Sequence, residues 1–214
     1  MSDNGSSKTN VYDKIFNLIL THKIPLGAPI FENELSVELG SSRSPIREAL
    51  KKMEAQGIVN HYPGRGTFVA PITRHDVEEI IDLRVVLELF CLKTSIHRIP
   101  DETLDRIKTQ LSALEDGSPF DEYSKTNIDL HETIIAFGGN KRAENFYQML
   151  SMQILLVNRS TPCARQYFVR SRDQHLEIVE ALKARDLEKS EDLLRSHLEY
   201  IKQNTMESFE YVNL

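Results

Sequence analysis

Residues 40–53 read Gly40-Ser41-Ser42-Arg43-Ser44-Pro45-Ile46-Arg47-Glu48-Ala49-Leu50-Lys51-Lys52-Met53. Ile46, Ala49, Leu50 and Met53 recur at the spacing of one helix face. Arg43, Arg47 and Lys51 follow one another at four-residue steps and lie off that stripe. Ser42 suits an N-cap, and Pro45 falls in the first turn, where its missing N–H costs nothing. The pattern predicts a short amphipathic helix that buries an aliphatic stripe and shows a basic face to water.

The flanking sequence gives this helix its context. "FENELSVELG" (31–40) predicts a second short helix stopped by Gly40. Val11, Ile15, Leu18 and Ile19 mark a helix over 11–20, and "KIPLGAPI" (23–30), with two prolines and a glycine, reads as a loop. Beyond Gln56-Gly57, "IVNHY" and "TFVAP" are strand-like runs on either side of "PGRG" (63–66), a hairpin tip. Two short helices joined by a glycine-containing turn, with bases on the second, form a helix-turn-helix layout. An arginine near the start of the second helix suits DNA phosphates and the O6/N7 edge of guanine. A hairpin tipped by Gly64-Arg65-Gly66 can approach the neighbouring backbone or minor groove. A basic helix alone would be read as an ordinary solvated face; the short helix before it and the basic-tipped hairpin after it favour double-stranded DNA.

The charge of the chain is divided accordingly. The 214 residues carry a formal net charge of -6. Residues 1–70 hold eight Lys/Arg against seven Asp/Glu, and residues 71–214 hold eighteen against twenty-five. Such asymmetry predicts two parts with different partners. The first ten residues, "MSDNGSSKTN", are expected to be a disordered polar tail with no signal-peptide core, and no apolar run is long enough for a membrane span. Cys91 and Cys163 match no ligand spacing and are read as buried thiols of a reducing cytoplasm. Past Pro71 every segment reads as helix: 74–97, 101–115, 120–137, 141–158, 164–184 and 187–208, separated by Pro100, Gly117-Ser118-Pro119, Gly138-Gly139 and Thr161-Pro162. The expected fold is mainly α. It has an N-terminal winged helix-turn-helix of three helices and a β-hairpin over 11–71, a linker at 72–75, and an antiparallel all-α bundle over 76–208.

Three histidines of the helical half accompany apolar stripes. Ile134 and Ile135 follow His131, Ile178 and Val179 follow His175, and Leu193, Leu194 and Ile201 flank His197. They are expected to point into the bundle, with Asn127 one turn before His131 on the same face. Three imidazoles and an oxygen ligand in a bundle core would suit a divalent metal, zinc first; hydrogen-bonded core histidines are the alternative. Asp129, two residues from His131, should face away. Arg84 and Glu88 are spaced as a helical ion pair.

The stretch "VYDKIFNLILTHKIPLGAPIFENELSVELGSSRSPIREALKKMEAQGIVNHYPGRGTFVAP" resembles the winged helix-turn-helix of GntR-family bacterial transcription regulators, most specifically in "SRSPIREAL" and "GRGTFV". The resemblance implies that Arg43, Ser44, Pro45 and Arg47 approach DNA, as does the wing glycine at Gly64 or Gly66; Lys51 and Arg65 add charge. Asn33 stands where some relatives carry a DNA-contacting arginine, so their operators do not transfer. "LRVVLELFC" (83–91), the segment 127–140 around "LHETI" and "GGN", and "RDQHLEIVEALKARDLEKSEDLLRSHL" (172–198) resemble the FCD ligand-sensing domain of the FadR subfamily. That resemblance implies a divalent metal (zinc, with nickel or manganese as alternatives) on Asn127, His131, His175 and His197. It also puts Arg84 beside the cavity, where it would take an effector carboxylate from a sugar acid or metabolic organic acid. The neutral amide of Asn127 is a weaker ligand than a carboxylate. A cytoplasmic homodimer on a palindromic operator follows from the same resemblance.

Two other functions compete. His131-Glu132 begins a metalloprotease H-E-x-x-H motif, but position 135 is Ile135, so hydrolysis is disfavoured. A metal-free, acyl-responsive regulator is the second, and the presence of all three histidines weighs against it.

Overall fold

Asn10, the last residue of the expected tail, accepts a hydrogen bond on its Oδ1 from the Tyr12 N–H at 3.1 Å and caps α1 (Val11–Leu20). The computed structural model describes residues 10–115, 118, 120–160 and 168–212, so residues 1–9 and Cys163 lie outside the described residues. The chain divides into two units between Ile72 and Thr73.

In the first unit, α1 buries Tyr12, Ile15, Phe16, Leu18 and Ile19. It packs on α3 (Arg43–Ala55), whose buried residues are Ile46, Ala49, Leu50 and Met53. This stripe turns Arg43, Arg47 and Lys51 outward. Between them lies α2 (Glu32–Leu39), which ends on Gly40 at φ 57°, a left-handed conformation that glycine adopts without strain. Ser42 occupies the N-cap position of α3, but its side chain makes no capping hydrogen bond.

The wing is larger than a hairpin. Strands β2 (Val59–Tyr62) and β3 (Gly66–Val69) pair antiparallel, and Pro29–Ile30, within the segment expected to be all loop, forms a strand β1 on the other side of β3. The order is β1-β3-β2. Proline is tolerated in β1 because this is an edge strand. Local sequence reads 23–30 as a loop because strand pairing is made with residues nearly forty positions later, Phe68 and Thr67.

The second unit is all helix among its described residues. Its helices are α4 (Arg74–Ser95), α5 (Asp101–Ser112), α6 (Phe120–Phe137), α7 (Lys141–Ser160), α8 (Phe168–Lys183) and α9 (Leu187–Val212). Thr73 and Asp76 form a reciprocal capping box at the start of α4, so positions 74 and 75 of the expected linker are helical. The helix expected over 101–115 stops at Ser112, the last runs on to Val212, and positions 164–167 of the expected 164–184 helix lie outside the described residues. α4 packs on α6, α7 and α9, and α8 lies against α5 and α9. Leu92, Leu104, Ile107, Leu130, Ile134, Ile178 and Leu194 are fully buried between them. Each such side chain contributes about 1.5–3 kcal/mol to folding. Gly138 lets α6 end directly against α4: a Cβ there would sit 2.6 Å from Cβ of the buried Cys91. No helix among the described residues is long and apolar enough to cross a membrane.

Candidate nucleic-acid interface and metal centre

The structure carries Arg43, Ser44, Pro45, Arg47 and Lys51 on the exposed side of α3, and Gly64, Arg65 and Gly66 at the exposed β2–β3 turn. That turn closes with the Arg65 N–H donating to the Tyr62 carbonyl at 3.0 Å, and Gly64 and Gly66 have φ of 75° and 99°. A side chain at either glycine would meet open space, so the requirement is conformational. Arg47 is held from α2: its Nε donates to Glu32 Oε2 at 2.8 Å. The sequence gives no direct sign of that contact, since the two residues stand on different helices.

The three histidines meet. His131 comes from α6, His175 from α8 and His197 from α9, and all three rings are buried. One ligand atom from each lies within 4.8 Å of the others. His175 Nε2 is 3.2 Å from His131 Nε2 and 2.9 Å from His197 Nε2. Zinc–nitrogen bonds of about 2.0–2.1 Å set neighbouring donor atoms about 3 Å apart, so this spacing fits one shared ion. The described part of Asn127 is its backbone, within α6; its side chain lies outside the described residues.

The hydrogen bonds behind the rings decide which nitrogens face inward. Glu88 Oε2 accepts from His131 Nδ1 at 2.6 Å, and Gln174 Oε1 accepts from His197 Nδ1 at 3.0 Å. A neutral imidazole has one proton, so both Nε2 atoms turn a lone pair toward His175. His175 has one proton as well, and its Nδ1 has no hydrogen-bond partner. It can satisfy at most one of its two neighbours. Two or three inward lone pairs with at most one proton among them make a poor closed polar core and a good ligand set for a cation.

Glu88 is the hub of a second layer. Its Oε1 accepts from Arg84 Nε at 2.9 Å and from the Tyr147 hydroxyl at 3.1 Å, and Arg84 and Glu88 are both buried. The expected Arg84–Glu88 pair is therefore real, and it reaches the histidine cluster. The roles of Glu88, Tyr147 and Gln174 were missed from sequence. Gln174 precedes His175 in the chain but serves His197, 23 residues away, so no spacing rule points to it.

Burial dominates the titration of this cluster. It raises the Glu88 carboxyl, but His131 and Arg84 outweigh it and hold the group at about 2. Burial lowers His131, and lowers His175 and His197 well below 6.5 with help from the neighbouring rings and Arg84. Below 6.5 the unfolded chain therefore binds protons that the fold excludes, and stability falls as pH falls. Each deeply depressed imidazole costs the metal-free fold about 1.4 kcal/mol per pH unit below 6.5. Glu88 contributes stability that is present above 4.5 and is lost as pH drops from there toward 2. Urea denaturation with chelator at pH 7.5 and pH 5.5 checks this, with the lower midpoint expected at pH 5.5. Equal midpoints would contradict the buried, neutral state of the rings.

Comparison with known proteins agrees with this division. Residues 7–69 match the bacterial regulatory proteins, gntR family, and residues 79–200, more than half of the chain, match the FCD domain. The chain is 25% identical over 196 residues to the HTH-type transcriptional regulator YdhC of Bacillus subtilis (strain 168), covering 88% of this chain and 86% of the relative. It is 28% identical over 185 residues to the gluconate operon transcriptional repressor of Bacillus licheniformis, covering 78% and 72%. A transcriptional regulator GntR from Rhodococcus sp. RHA1 superposes with a TM-score of 0.75 at 22% identity, over 92% of this chain and 96% of that one. A Zn2+-bound FCD domain superposes with a TM-score of 0.57 at 23% identity, over 64% and 96%. With its winged N-terminal unit and helical C-terminal unit, the chain belongs to the GntR family of DNA-binding transcriptional regulators and carries an FCD ligand-binding domain.

Proposed function

We propose that this regulator, of the FadR subfamily, is a bacterial cytoplasmic protein whose operator affinity is controlled by a small carboxylate bound beside a divalent metal ion. The observation that carries the reading is the convergence of three buried Nε2 atoms with two tautomers set by Glu88 and Gln174. His131, His175 and His197 would hold the ion, zinc by preference of the donor set, with nickel or manganese as alternatives and Asn127 as an oxygen ligand. When bound, the ion supplies a fixed positive charge for an anionic effector. Arg84 would take the effector's carboxylate. Gluconate, in the name of the Bacillus licheniformis relative, belongs to that chemical class.

DNA contact is assigned to Arg43, Ser44, Pro45, Arg47 and Lys51 of α3 and to Gly64, Arg65 and Gly66 of the wing. Arg43→Ala and Arg47→Ala should each weaken operator binding by about 1–3 kcal/mol if they reach base edges. Arg65→Ala should weaken binding to all sequences alike and reduce the salt slope by about one. Fluorescence anisotropy on the operator and a scrambled duplex reads both effects, and unchanged operator affinity in both α3 variants would overturn the assignment.

A twofold homodimer on a palindromic operator is also proposed. Leu83, Val86 and Phe90 form an exposed apolar row along α4, a surface suited to a second copy. Phe90→Lys is expected to shift the protein toward monomer in sedimentation velocity. A dimer of undiminished affinity would move the interface elsewhere.

A further inference from the structure

The two outer hydrogen bonds of the histidine cluster are made by groups of different kinds. Glu88 is fully buried, and His131 and Arg84 hold its carboxyl at about 2, so it is an anion that can only accept. His131 must therefore keep its proton on Nδ1, which leaves its Nε2 lone pair turned inward. Gln174 is neutral and only half-buried. Its Oε1 accepts from His197 Nδ1 at 3.0 Å, and among the described residues no second side chain holds the amide in that orientation. Turned by half a rotation, the amide offers an N–H donor at the same place. His197 then carries its proton on Nε2, which lies 2.9 Å from His175 Nε2, and a hydrogen bond between these two rings closes the cluster without an ion.

We propose that Gln174 is the positioning residue that keeps the bound ion exchangeable, because its two-way amide lets His197 pass between a ligating and a non-ligating tautomer. The proposal rests on the metal-site reading and deepens it. A cation recruits His197 only from the population in which the amide oxygen faces the ring, and apparent affinity falls by that fraction. A neutral amide also raises the basicity of the imidazole less than a carboxylate does. His175 Nδ1 has no hydrogen-bond partner at all. Gln174 is thus the one outer group of the cluster, among the described residues, that can work in both directions. A carboxylate at position 174 would fix His197 as Glu88 fixes His131.

The test uses full-length protein stripped of metal with chelator. Zinc affinity is read by competition with a fluorescent zinc chelator, and the ring tautomers of the metal-free protein by long-range 1H–15N NMR. In the parent, His197 should show both tautomers. Gln174→Glu should leave only the Nδ1–H form, tighten zinc about 10–100-fold and slow its release to excess chelator. Gln174→Leu, which offers the ring no acceptor, should weaken zinc about tenfold or more. It serves alone if the glutamate variant does not fold. Zinc affinity within about twofold of the parent in a folded variant overturns the inference and leaves the metal-site reading standing. So does a metal-free parent with His197 wholly in the Nδ1–H form. Tighter zinc in Gln174→Glu with no change of tautomer overturns it too, since the new carboxylate would then act as a ligand or a bare charge. A parent that takes up no zinc overturns both readings.

Discussion

Glu88→Ala is expected to remove about 3–5 kcal/mol of folding stability, which is a large part of the 5–15 kcal/mol typical of a domain. The size follows from what the carboxylate holds. It accepts from Arg84, His131 and Tyr147, and all four side chains are buried. Alanine leaves the Arg84 guanidinium in the core without a counter-charge. It also strands the Nδ1–H of His131 and the Tyr147 hydroxyl, and a buried donor without an acceptor costs about 1–3 kcal/mol. Glu88→Gln keeps the shape and one acceptor oxygen, so its loss should be smaller. Urea denaturation at pH 7.5 with chelator measures both variants free of any metal contribution. A loss below about 1 kcal/mol for the alanine variant would mean that the hub is not the buried charge centre described above.

The second large effect concerns the cation. Zinc at a hundredfold excess over its dissociation constant should stabilise the protein by about 2.7 kcal/mol, and at a thousandfold excess by about 4.1 kcal/mol. His175→Ala should abolish the gain. This position is chosen because His175 Nδ1 has no hydrogen-bond partner, so truncation leaves no donor or acceptor stranded behind the ring. The variant should melt below the metal-free parent, because a fully buried ring is lost, and be indifferent to zinc or chelator. Glu88→Gln, which retains all three ligands, should lower zinc affinity about 10–100-fold, because His131 loses the anionic partner that orients it and raises its basicity. Differential scanning calorimetry with elemental analysis reads these outcomes. A parent protein that takes up no zinc and melts identically with and without it would return the three rings to an ordinary polar core. Retained zinc uptake in His175→Ala would put the ion elsewhere.

Much of this protein is determined by local sequence. The basic helix at 43–55 is legible because an aliphatic stripe and a basic face differ at helical period, and the left-handed stop at Gly40 needs a glycine. The wing tip is legible for the same reason at Gly64 and Gly66. The inward direction of His131, His175 and His197 follows from the stripes that carry them. These are short-range properties, set by periodicity and by the steric freedom of single residues.

Only the tertiary structure decided the rest. Pro29–Ile30 became a strand because β3 offered an edge for it. Gly138-Gly139 reads in sequence as punctuation, while in the fold Gly138 is the place where α6 closes on Cys91. Arg84–Glu88 reads as a helical ion pair, yet its partners His131 and Tyr147 come from helices 43 and 59 residues away. The reason is the same each time. Hydrogen bonds and close contacts between helices depend on distance in space, and sequence spacing constrains only neighbours within about a turn or two. Which nitrogens of the cluster face inward follows from Glu88 and Gln174, which the bundle brings within hydrogen-bonding distance of the rings.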